Sequence, residues 1–68
     1  MRIKAKNIQV QQWIRLDDGS HLFVRRINRI SDSFRSLAGT LYITKMGRAV
    51  QDPNFFFSIQ DTDTVEIV

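Results

Sequence analysis

The chain has 68 residues, no cysteine, 43% hydrophobic residues and a net charge of +3. That length allows a single domain, residues 1–68, near the lower limit for an unstapled core, and the missing thiols exclude disulfides and thiolate metal sites. No apolar run approaches the roughly 20 residues that cross a bilayer, and the basic N-terminus lacks the apolar core of a signal peptide, so a soluble cytoplasmic protein is expected.

The charge is polarised along the chain. All ten Lys and Arg lie within residues 1–48, against three aspartates, a balance of +7, whereas residues 49–68 carry −4 and no cation. Such a chain can present a basic face to a polyanion, with the acidic tail either elsewhere or neutralising that face internally; scattered solvated charge without a partner is the plain alternative.

Met1 to Lys6 alternates apolar and basic residues, the period-2 pattern of a half-buried edge strand protected by its cations. Ile8 and Val10 are expected core contacts. Trp13 to Ile27 then reads as a β-hairpin around Asp17-Asp18-Gly19. A two-residue turn would oppose Leu16 to His21 and waste the apolar face. A three-residue turn with a left-handed Gly19 opposes Ile14 to Leu22 and Gln12 to Val24, which puts Ile14, Leu16, Leu22 and Val24 on one side. Trp13, Arg15, His21, Phe23 and Arg25 then share the other. Beyond Val24 the apolar positions change phase to Ile27 and Ile30, as a β-bulge near Arg25-Arg26 would produce.

Residues 31–39 are serine-rich and read as a long surface loop, with Phe34 either a lid over one end of the fold or an exposed contact. Thr40 to Thr44 reads as a strand with Leu41 and Ile43 inward and Tyr42 outward. Residues 45–48 and 51–54 carry turn signals, with Ala49-Val50 a short extended piece between them. Phe55, Phe57 and Ile59 form one face of the next strand and Phe56 the other. Gln60 to Thr64 suits a helical turn, and Val65 to Val68 a closing strand that needs a partner. No segment shows a sustained 3.6-residue period, which excludes a substantial helix. The expected fold is all-β: a small barrel of five or six strands with a short helical turn before the last.

This order resembles the Src-homology-3-like small barrels, the superfold of Tudor and KOW modules. Val10, Ile14, Leu16, Asp17, Asp18, Gly19, Val24 and Ile27 match the opening of small barrels common in phage and actinobacterial proteins, and Asp61 to Val68 is similar to their acidic turn and last strand. Gln11-Gln12 stands where those proteins carry Gly-Asp. The resemblance implies the barrel, and a host cytoplasm if the chain is phage-encoded, but the superfold hosts many functions.

Catalysis finds little in the sequence: one histidine, His21, no nucleophile elbow, no phosphate-binding glycine pattern. A lone imidazole cannot supply a zinc site, and Asp61 with Asp63 lacks the remainder of a calcium loop. No enzyme, cofactor or metal is expected. Binding finds more. Arg15, Arg25, Arg26, Arg29, Arg35, Lys45 and Arg48 could form a cationic stripe, with Trp13, Phe23, Tyr42 and Phe56 as planar faces beside it. Arginine forks match phosphate and aromatic rings stack on bases, so the mixture suits single-stranded nucleic acid, while duplex DNA could use the arginines alone. The same composition fits a protein interface, with a host protein or a second copy as partner. Against both stands a mini-core, in which Trp13, Phe23 and Phe56 are covered by the rest of the chain.

Overall fold

The structure, a computed structural model, describes residues 1–45 and 47–68, with Lys45 described through its backbone alone. Six strands form one antiparallel sheet: β1 (Arg2–Lys4), β2 (Trp13–Arg15), β3 (His21–Arg29), β4 (Phe34–Lys45), β5 (Arg48–Gln60) and β6 (Thr64–Ile67), in the order β1-β6-β2-β3-β4-β5. The sheet curls into a half-barrel. Its inner face carries the core of Ile14, Leu22, Val24, Leu37, Leu41, Ile59 and Val65, closed at one end by Ala5 and Ile8. The all-β class is as expected, and no helix among the described residues is long and apolar enough to cross a membrane.

The hairpin follows from its turn. Gly19 has φ +88°, and its N–H donates to the Leu16 carbonyl at 2.9 Å, leaving three residues between the paired Leu16 and Ser20. Asp18 stabilises the same turn by accepting hydrogen bonds from the Ser20 hydroxyl and, at 2.9 Å, its N–H. The pairs Trp13–Phe23, Ile14–Leu22 and Arg15–His21 result. Gln12 stays in step, its carbonyl accepting the Val24 N–H at 3.0 Å.

The parity change in β3 is a bulge. Val24 pairs with Gly39 and Arg26 with Ala38, so Arg25 is the extra residue, and Ile27 returns to the inner face opposite Leu37. A second bulge lies on the other side of β4. Gly39 pairs with Phe55 and Leu41 with Asp52, leaving Pro53-Asn54 opposite Thr40. The two irregularities meet at Gly39, where the backbones crowd. A Cβ there would lie 1.9 Å from the Phe23 carbonyl oxygen, so only glycine fits the bend. Bulges bend strands and increase twist, and this pair curls the sheet around its core.

Four expectations are corrected. Residues 34–39 are strand, not loop: β4 is flanked by β3 and β5, and Leu37 points inward with no exposure, so the real connection is only residues 30–33. Residues 51–54 do not turn the chain but continue β5. Pro53 is tolerated because β5 is an edge strand and the bulge leaves its missing N–H without cost. The first strand stops at Lys4, where Ala5–Asn7 form a 3-10 turn that buries Ala5. Ile8 enters the core, but Val10 is 51% exposed beside the left-handed Gln11.

Before β6 the chain reverses in one tight turn, the Asp63 N–H donating to the Gln60 carbonyl at 3.0 Å. The last strand finds two partners, β1 and β2. The expected turn at residues 45–48 includes Met46, which lies outside the described residues; Gly47 in it has φ +76°.

Candidate nucleic-acid interface

The outer face of the sheet collects the side chains that alternate away from the core. Trp13 lies at the centre of a ring cluster, its centroid 5.1 Å from Phe23 and 5.1 Å from Tyr42, with interplanar angles of 50° and 40°. The cross-strand Trp13–Phe23 and His21–Tyr42 pairs generate this cluster. Tilted pairs at this separation match the quadrupoles of the rings and are worth about 1 kcal/mol each beyond burial. Trp13 nevertheless stays 40% exposed, while Phe23 and Tyr42 are half-buried. The rings are therefore braced by one another rather than covered by another segment.

Along β3 the cluster lies between two cationic ends. On one side Arg15 pairs across the hairpin with His21, donating from Nε to its Nε2 at 3.4 Å. On the other side stand Arg25 and Arg26. A regular strand would send these two consecutive side chains to opposite faces, but the bulge brings both to the rim of one groove of about 620 Å³. Asn28, Ser36 and Ala38 also line it, with Pro53, Asn54 and Phe56 across from the arginines. Arg26, Ala38 and Phe56 are in register over three strands. Phe56 is 71% exposed, although it is a phenylalanine in the middle of a strand. None of the residues lining the groove is acidic.

The other predicted cations go elsewhere. Arg35 turns to the inner face and donates from Nε to Asp61 Oδ1 at 2.8 Å and from Nη1 to the Lys6 carbonyl at 3.2 Å. Its side chain is only 13% exposed. Arg29, directly opposite Arg35, contacts the same carboxylate at 3.7 Å and caps the Ser31 and Asp32 carbonyls. Arg48 lies at the far tip of the β4–β5 hairpin. The side chain of Lys45 lies outside the described residues. The continuous stripe expected from sequence is thus divided: Arg15, Arg25 and Arg26 share the outer face with the three rings, and Arg29 and Arg35 share the single carboxylate of Asp61. Among the described residues Arg15, Arg25, Arg26 and Arg48 have no ion-pair partner.

Sequence reasoning missed Asn28, Ser36, Pro53 and Asn54. The loop reading of residues 31–39 hid Ser36, and the turn reading of 51–54 hid the bulge. Phe56 was legible, since strict alternation through Phe55, Phe56 and Phe57 directs it outward. Among the described residues no three His, Asp or Glu side chains converge as metal ligands. At the hairpin turn the Ser20 hydroxyl and N–H hold the Asp18 carboxyl below its ordinary value.

Comparison with protein-family models, with curated proteins and with solved structures finds no match to this chain.

Proposed function

We propose that the protein is a small, non-enzymatic binding module that holds nucleic acid on its outer face in the cytoplasm. One observation carries the reading: Arg25 and Arg26 are brought by a bulge to the same groove as the exposed ring of Phe56, and among the described residues neither has an ion-pair partner and no carboxylate lines that groove. Leaving two guanidinium groups on one rim without a counter-charge is unfavourable for the isolated fold and favourable toward a polyanion, whose condensed counterions are released on contact. Trp13, Phe23 and Tyr42 continue the surface with planar apolar area. The bent third strand and half-barrel also support the resemblance to Src-homology-3-like barrels, without bearing on the ligand.

The test is a binding titration against labelled oligonucleotides at increasing salt. Affinity should fall steeply between about 50 and 200 mM salt, and Arg25→Glu with Arg26→Glu should abolish it. Absence of binding at about 50 mM salt, combined with capture of a protein partner from nuclease-treated lysate that Phe56→Ala abolishes, would replace this reading with protein recognition.

A further inference from the structure

We infer that the groove between the two bulges takes a single strand in preference to a duplex, with Phe56 as the stacking residue; the inference rests on the nucleic-acid reading above. Phe56 carries the argument. It is 71% exposed, and among the described residues no other ring pairs with it, whereas Phe55 and Phe57 pack together at 5.8 Å on the inner face. A duplex keeps the faces of its bases inside its own stack and offers a surface ring only sugar and phosphate. A single strand offers base faces, and any base can use a ring.

The row Arg26–Ala38–Phe56 sets the geometry. The three residues lie in register across β3, β4 and β5, so two strand spacings separate the arginine and phenylalanine backbones, about 10 Å. The methyl of Ala38 between them leaves room for a nucleotide whose phosphate meets the guanidinium while its base lies on the ring. Arg25, next along the rim, is placed to meet the neighbouring phosphate. Asn28 and Ser36, opposite one another one step further along, supply both donors and acceptors to base edges. Trp13, held at 5.1 Å from each of two rings, offers a second and rigid platform beyond the arginines.

Trp13 is the one tryptophan of the chain and therefore an internal reporter. A single strand of about 12 nucleotides, as DNA and as RNA, and a duplex of the same length are titrated while its fluorescence and the anisotropy of the labelled oligonucleotide are followed. The single strand should bind about tenfold tighter than the duplex and quench Trp13. Phe56→Ala should weaken single-strand binding about tenfold with its salt slope unchanged, and Phe56→Trp should restore it. Arg26→Gln should instead reduce the single-strand salt slope by about 0.7. Equal affinity for strand and duplex, or a Phe56→Ala variant that melts normally and binds the single strand as the parent does, overturns the inference and leaves the nucleic-acid reading in place. No binding of either at about 50 mM salt overturns both.

Discussion

Two pairs of arginines, a few residues apart, have opposite fates. Arg29 and Arg35 face each other across β3 and β4, a like-charge pair that would be unfavourable alone, and Asp61 comes between them from the far end of β5. Arg25 and Arg26 lie at the bulge, with no acid among the residues that share their groove. The residue type is the same in both cases; the difference is the one extra residue in β3. Were Arg25 paired as an ordinary strand residue, alternation would carry Ile27 to the outer face and reverse the side chains that follow it in β3, Arg29 among them. A single insertion thus separates the β3 arginine that meets Asp61 from the two that stand on the rim of the groove.

The largest way to break the comparison is at the bend itself. Gly39→Val places side-chain atoms where the Phe23 carbonyl already lies, and should cost about 4 kcal/mol or more. Against a total of about 3–10 kcal/mol for a chain of this length, denaturant titration should find the variant largely or fully unfolded. Both arginine pairs would then lose their places together.

Next in size is Asp61→Asn. Asp61 and the Arg35 side chain are only 18% and 13% exposed, so removal of the carboxylate charge leaves a little-solvated guanidinium opposite Arg29. A loss of about 1–3 kcal/mol in urea unfolding is expected, larger at low salt. The contrasting variant, Arg25→Gln with Arg26→Gln, should alter stability by less than about 0.5 kcal/mol in the same assay. An equal loss in the two variants would erase the distinction between arginines that hold the fold and arginines that do not.

The smallest expected effect is at the hairpin turn. Because Asp18 is held below its ordinary value in the folded chain, its contribution is present above the unfolded value of about 3.9 and is lost as pH falls through the lower folded value. Asp18→Ala should therefore melt slightly below the parent at neutral pH and converge with it in strong acid.

Where neighbours in sequence decide the structure, the chain was readable. The turn glycine and the match of Ile14 to Leu22 determined the hairpin register, and the displacement from Val24 to Ile27 revealed the bulge. The loop reading of residues 31–39 holds for 31–33 and fails for 34–39, because the serines on both sides of Phe34 imitate one continuous loop. What makes Ser36 and Leu37 strand residues is a sheet neighbour on each side, and one of those neighbours is some 20 positions away. The inward turn of Arg35 was illegible for a related reason: a charged residue enters a core only beside its counter-charge, and Asp61 is 26 residues distant. Pro53 announced a turn because proline usually does. An edge position and a bulge together remove the objection to it in a strand, and neither is local information.

The sheet has two ends, β1 and β5, and among the described residues no strand ladder joins them. They are brought together where the Lys6 N–H donates to the Asp61 carbonyl at 3.3 Å, the Asp61 N–H to the Ser33 carbonyl at 2.8 Å, and Arg35 to the Lys6 carbonyl at 3.2 Å. At this corner the chain itself passes from β5 into β6 through the Gln60–Asp63 turn, so these bonds hold the 3-10 turn after β1 against a corner that the backbone already joins. Amide hydrogen exchange should accordingly divide the molecule by mechanism. The Lys6 and Asp61 amides should exchange through a local opening that denaturant hardly promotes, and those of Leu22 and Leu41 only through global unfolding. Such a division would mark this seam, at the opposite end of β5 from its hairpin tip, as the first part of the native state to open.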